Sequence, residues 1–195
     1  MNICIFGANG GLGFAYLSYY LNNADVNYCY AVVRNRIDLE ERLSRVNFDN
    51  NKLRVIELVE LTDESLASFI NDCRQNQVEF SYVINTIGQL HNDEYMPEKM
   101  LSKVGVEQLH WSVDQNVVPC MLITKHCSRL MIKDELSAIV HVTAKVGSIG
   151  DNHLGGWYSY RMSKAMMHMF IKTASIELKR LNKNLVIVAI HPGTI

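Results

Sequence analysis

At 195 residues the chain is long enough for one domain with a sizeable core and too short for two. Its 48% hydrophobic and 20% charged residues are those of an ordinary globular protein, and a net charge of -1 gives no basis for a nucleic-acid or anionic-membrane partner. The longest apolar runs, such as Leu185–Ile190, are strand-sized and far short of a membrane span, so no integral membrane association is expected.

Residues 1–6 carry no basic stretch and no cleavage site, and they run straight into a glycine motif. They read as structure rather than as a targeting signal. Strand-like runs fall at Asn2–Phe6, 27–33, 53–58, 82–87, 138–143 and Leu185–Ile190. Most are near-continuous and rich in Val and Ile, as parallel strands covered on both faces are. Between them, amphipathic stretches predict helices over 12–21, 63–76, 106–131 and 158–180. Thr62, followed by Asp63 and Glu64, is a good N-cap with an acidic first turn for the second of these. Such alternation predicts βαβ units with right-handed crossovers, hence an α/β fold with a doubly wound parallel sheet. Ligands of such sheets bind beyond the carboxyl ends of the strands. The chain stops at His191-Pro192-Gly193-Thr194-Ile195, straight after the last run and without a capping helix, and is expected to be truncated there.

The first run ends in Gly7-Ala8-Asn9-Gly10-Gly11-Leu12-Gly13, with a helical stretch directly behind it. Glycines allow a sharp turn, a close approach to a pyrophosphate and tight packing of helix on strand. The helix N-terminus then offers free N–H groups and positive partial charge to the phosphates. The spacing fits both GxxxGxG (Gly7, Gly11, Gly13) and GxxGxxG (Gly7, Gly10, Gly13). The second run ends in Val33-Arg34-Asn35-Arg36, with no acid to take a ribose 2′-hydroxyl. Arg34 and Arg36 are placed to clamp a 2′-phosphate, so NADP(H) is preferred over NAD(H).

Tyr160 and Lys164, in Tyr158-Ser159-Tyr160-Arg161-Met162-Ser163-Lys164, are four apart and share a helix face. The ammonium is expected to lower the phenol pKa from about 10 and so make Tyr160 a general acid/base. Lys164 is also placed to hold a nicotinamide ribose. Met162, Met166, Met167 and Met169 on the same helix suit a core or a subunit interface. The five cysteines, Cys4, Cys29, Cys73, Cys120 and Cys127, are odd in number and form no CxxC pair. They read as small core residues of a cytoplasmic protein. The seven histidines show no metal pattern, and His141, in a strand, reads as a satisfied core residue.

These motifs continue in Asn85-Thr86-Ile87-Gly88 after the fourth run, Asn116 in the long helix, Gly147-Ser148-Ile149-Gly150-Asp151-Asn152 leading into Gly155-Gly156-Trp157, and His191-Pro192-Gly193. On them the whole chain resembles the short-chain dehydrogenase/reductase family, closest to the branch that includes C-factor and the Sniffer-type carbonyl reductases. The resemblance implies a three-layer, Rossmann-type, doubly wound parallel sheet flanked by helices, forming one NAD(P)-binding domain over residues 1–195. It implies that Tyr160 exchanges a proton with the substrate, that Lys164 lowers the Tyr160 pKa and binds ribose hydroxyls, and that Asn116 anchors a water in a proton relay. Pro119, which lacks an N–H and crowds the Gln115 carbonyl, should break the helix ladder near Asn116. Gly7, Asn9, Gly10, Gly11, Leu12 and Gly13 would hold the pyrophosphate and Arg34 the 2′-phosphate. Leu61, in the Glu60–Thr62 segment, would lie near the adenine. Asn85 and Gly88 would line the cofactor, with Pro192 and Gly193 beside it.

The family places a Ser three residues before Gly147, where this chain has Ala144. Thr143 and Ser148 are the candidates to supply the missing hydroxyl. The leading expectation is an NADP(H)-dependent carbonyl reductase or alcohol dehydrogenase acting on a small-molecule carbonyl or alcohol. The resemblance also implies a homodimer or homotetramer paired through the Asn116 and Tyr160 helices. One alternative, motivated by Ala144, is a coenzyme-binding signalling or regulatory protein with little turnover. A second, from the GxxGxxG spacing, is a sugar-nucleotide epimerase or dehydratase.

Overall fold

In the computed structural model, which describes residues 1–193, the apolar runs become the strands β1 (Asn2–Phe6), β2 (Tyr28–Val33), β3 (Leu53–Glu57), β4 (Tyr82–Asn85), β5 (Ser137–Val142) and β6 (Leu185–Ile190). They alternate with the helices α1 (Gly11–Leu21), α2 (Arg36–Leu43), α3 (Asp63–Gln75), α4 (Val106–Cys127) and α5 (Tyr158–Leu181). All six strands pair in parallel, in the order β3-β2-β1-β4-β5-β6. This is the expected doubly wound sheet, and its strand order reverses between β1 and β4, where such sheets open a crevice for a ligand.

Alternate residues of each strand face opposite sides, so the strands feed two apolar layers. Cys4, Phe6, Val83 and Ile139 pack against Leu66 and Phe69 of α3, Val117 and Ile123 of α4, and Met167 and Ile171 of α5. Ile3, Ile5, Ala31 and Val33 pack against Leu17 and Leu21 of α1 and Leu39 and Leu43 of α2. Full burial of each such Leu, Ile or Phe contributes roughly 1.5–3 kcal/mol. All five cysteines are free and buried in these layers.

The predicted helix starts hold to within a residue. Thr62 caps α3 in a reciprocal box, its hydroxyl accepting from the Ser65 amide while the Ser65 hydroxyl accepts from Thr62. Helix α4 ends at Cys127, earlier than expected, and continues as a 3-10 turn over Ser128–Leu130. Helix α2 is an element the sequence pattern did not suggest. Asn35 caps it by accepting from the Ile37 amide, and Leu39 and Leu43 seat it on the sheet. Among the described residues, no helix is long and apolar enough to cross a membrane, and no group of three His, Cys, Asp or Glu side chains is placed to hold a metal ion.

Candidate active site

The β1–α1 turn is tightly packed at its glycines. Gly7 sits at φ +79°, in the left-handed region. A Cβ on Gly13 would lie 2.1 Å from the Gly7 carbonyl oxygen, and one on Gly10, the residue that caps α1, would lie 3.2 Å from it. A Cβ on Gly11 would meet nothing within 4 Å. The Thr86 hydroxyl, just past β4, donates to the Phe6 carbonyl at 2.9 Å and braces this turn from below. Gly13→Ala is therefore expected to cost about 1–3 kcal/mol of stability and to weaken coenzyme binding, measured by urea denaturation and by NADPH titration.

Above the turn lies a cleft of about 410 Å³. Its walls include Gly7, Asn9 and Gly10 of the glycine loop, Arg34 after β2, Leu61 after β3, and Gly88 after β4. Arg36 is not among them. Its guanidinium turns to the Val55 carbonyl at 2.9 Å and toward Glu40 at 3.8 Å, which leaves Arg34 as the arginine on the cleft. Arg42 of α2 lies 4.3 Å over the Phe14 ring and donates to the Asn9 carbonyl, tying α2 to the glycine loop. Gly11, Leu12 and Gly13 form the first turn of α1 rather than the cleft wall. Pro192 and Gly193 are exposed beyond β6, outside the cleft lining.

Asn85 departs from its expected place. It is fully buried beneath the cleft and donates through Nδ2 to His141 Nδ1 at 3.1 Å, while its Oδ1 accepts from the Ile87 amide. The His141 Nδ1 is thus an acceptor, so Nε2 carries the proton and donates to the Thr124 hydroxyl at 2.8 Å, which in turn donates to the Cys120 carbonyl. Burial holds the His141 pKa down at about 4, from an ordinary 6.5. The unfolded chain protonates near 6.5 and the folded one only near 4, so this stability is complete above pH 6.5 and is lost as pH falls toward 4. The loss is about 3 kcal/mol. Urea denaturation at pH 7 and pH 4.5 checks it, since His141→Gln should remove that part of the acid sensitivity.

Helix α4 runs unbroken from Val106 to Cys127, although Pro119 cannot donate to the Gln115 carbonyl. The irregularity expected at Asn116 is reduced to that one missing bond. Asn116 is fully buried. Its Oδ1 accepts from the Gln89 amide at 3.1 Å, and its Nδ2 donates to the Gln89 and Ser112 carbonyls at 3.0 and 2.9 Å. It clamps the segment after Gly88 onto α4. A Cβ on Gly88 would lie 2.9 Å from Asn116 Oδ1 and 3.1 Å from Lys164 Nζ, so the cleft, Asn116 and Lys164 converge at this glycine.

Lys164 is only 3% exposed, and among the described residues the one hydrogen-bond acceptor on its ammonium is the Met167 sulfur at 3.6 Å. Burial pulls its pKa from 10.5 to about 8. The ammonium lies 5.3 Å from the centre of the Tyr160 ring. Lys164 was expected to lower the Tyr160 pKa; instead burial dominates and pushes the phenol up. The pairing of the two side chains on one helix face is as the four-residue spacing predicts.

The missing hydroxyl is not restored by Thr143. Its Oγ1 donates to the Ile190 carbonyl at 3.3 Å and lies 3.1 Å from His168 Nε2, turned to β6 and α5. Ser148 closes the 145–147 turn through its amide on the Lys145 carbonyl, and its side chain makes no hydrogen bond among the described residues. Arg161 was not singled out by its sequence context. Its guanidinium donates to the Gly156, Val146 and Gly155 carbonyls and fastens the loop ahead of α5.

A family model described as short chain dehydrogenase matches residues 1–195. C-signal of Myxococcus xanthus is 41% identical over 58 residues, 30% of this chain and 34% of that protein, so the match spans about a third of the relative's length. The solved carbonyl reductase Sniffer of D. melanogaster superposes with a TM-score of 0.82 at 24% identity, covering 98% of this chain and 80% of that one. An NADPH-bound carbonyl reductase from chicken fatty liver gives 0.80 at 20% identity, over 98% and 79%. At these identities the two structures speak for the fold. The expected family resemblance is borne out by the family match, with C-signal and a Sniffer carbonyl reductase among the proteins the chain is similar to. With the match running over the whole chain, the protein belongs to the short-chain dehydrogenase/reductase family.

Proposed function

We propose that this protein is a cytoplasmic, NADP(H)-dependent carbonyl reductase or alcohol dehydrogenase, acting as a homo-oligomer on a small-molecule carbonyl or alcohol. The observation that carries the reading is the buried Lys164 ammonium, without an oxygen partner among the described residues, set beside Tyr160 and against Gly88 of the cleft wall. A buried cation of this kind is costly unless a ligand supplies acceptors, and ribose hydroxyls do so. The cleft, the glycine turn and Lys164 fit a nicotinamide dinucleotide.

When bound, that coenzyme supplies or accepts the hydride. The chain's residues would do the rest. Gly7, Asn9 and Gly10, with the N-terminus of α1, would hold the pyrophosphate. Arg34 would take the 2′-phosphate, which favours NADP(H) over NAD(H). Gly88 would let the ribose reach Lys164. Tyr160, its phenol kept protonated by burial, would donate to the substrate oxygen during reduction. Asn116, with its side chain committed to Gln89 and Ser112, would serve by fixing α4 against the site. The half-exposed Met162 and Met166 and the exposed Met169 support pairing of subunits through α5, while Met167 is core. Five unpaired, buried cysteines support a reducing compartment.

The test is loss of NADPH absorbance with a panel of carbonyls, with Tyr160→Phe as control. Turnover abolished by the substitution, with NADPH binding retained, is the expected result. NADPH binding without turnover of any carbonyl would instead make this a coenzyme-binding regulatory protein, a reading that Ala144 favours.

A further inference from the structure

Helix α5 begins in an unusual way. Gly155, Gly156 and Trp157 all have positive φ, at +65°, +67° and +56°, and Trp157 occupies the cap position without a side-chain oxygen to offer. The left-handed region is unfavourable for a tryptophan, so surrounding contacts must hold it there. The first-turn amides of α5 also need acceptors that the cap residue cannot give.

Both needs are met by one residue of the β4–α4 connection. Glu98 is 4% exposed. Its carboxylate oxygens accept from the Ser159 amide at 3.3 Å and from the Ser159 hydroxyl, and its backbone carbonyl accepts from the Trp157 amide. Among the described residues no Lys, Arg or His pairs with it. The positive end of α5 is therefore the charge that balances it. Tyr160 is the third residue of that helix. Its ring packs edge-on against Trp157 at 6.3 Å, with Lys164 near the ring at 5.3 Å.

We propose that Glu98 is a positioning residue for Tyr160: by holding Ser159 with its carboxylate and Trp157 with its carbonyl, it fixes the turn and the ring contact that aim the phenol. The proposal rests on the reductase reading above. Glu98 touches neither the coenzyme cleft nor Lys164, so its removal should misplace the phenol and leave coenzyme binding alone. A misplacement of about 1 Å can cost up to 10²-fold in rate.

The experiment compares Glu98→Ala with Glu98→Gln. The glutamine keeps an acceptor for the Ser159 amide and can donate to the Ser159 hydroxyl. Glu98→Ala should lower kcat tenfold or more with the NADPH Kd unchanged, and Glu98→Gln should recover most of the loss. Hydrogen exchange over residues 155–163 should quicken in the alanine variant alone. Losses of kcat that track the fall in Tm equally in both variants, or an unchanged kcat in Glu98→Ala, would overturn the proposal. A wild type silent on every carbonyl would sink the reductase reading instead. Exchange would then still decide the latch: faster exchange confined to this turn upholds it, and unchanged exchange overturns it.

Discussion

Replacing Lys164 with methionine should raise the melting temperature and at the same time remove turnover. The lysine is buried beside Met167 and Cys120, and its pKa falls from 10.5 to about 8 because the fold disfavours the charged form. The sign follows from the two states. Below pH 8 both folded and unfolded chains carry the proton, and the fold bears the full burden of the buried charge. Between pH 8 and 10.5 the folded chain has lost the proton while the unfolded one keeps it, so stability returns as pH rises. At pH 7 the burden is about 3 kcal/mol, and Lys164→Met, close in volume, removes it. For a chain of this length that corresponds to a Tm rise of roughly 6–12 °C. The gap between variant and wild type should close toward pH 10.5. NADPH binding should weaken in the same variant, since methionine offers nothing to a ribose. A lowered Tm at pH 7 would mean that Lys164 serves the fold rather than the ligand.

Ala144→Ser should raise kcat, by up to about 10²-fold. A donor aimed at the developing oxyanion is typically worth 10²–10³ in rate. Here Thr143 spends its hydroxyl on Ile190 and His168. Ala144 has extended backbone at φ -143°, ψ 144° and immediately precedes the 145–147 turn, so a serine fits there without backbone change. Tyr160 would otherwise be the single positioned donor to the substrate oxygen. Steady-state rates of the wild type and Ala144→Ser, with Ser148→Ala beside them, settle the source of the hydroxyl. A fall in kcat in Ser148→Ala with no gain in Ala144→Ser would assign it to Ser148.

The strands were legible because two-sided burial writes long Val and Ile runs, and Asn2–Phe6 and Leu185–Ile190 end where the sequence puts them. The fourth run overshoots because Thr86 leaves the ladder to bond back to the Phe6 and Gly7 carbonyls, which hydropathy does not record. Helix α2 was hidden by its brevity and by Ile37, an apolar residue that is 73% exposed and blurs the period. Tyr160 and Lys164 could be read because a four-residue spacing fixes a shared helix face. Asn85 was misplaced because the motif suggests a residue on the cleft, while strand pleating turns its side chain inward to His141. Glu98 could not be found at all: its contacts lie 61 residues away in sequence, and a loop glutamate carries no local mark of burial.

The five buried thiols also turn the protein into its own stopwatch. Burial pushes Cys29 and Cys120 up to about 12 and Cys73 to about 11, so little thiolate forms in the native state at neutral pH. An alkylating reagent can then react only when a segment opens. Because the cysteines are spread over β1, β2, α3 and the C-terminal half of α4, peptide-resolved labelling rates would time the opening of each part separately.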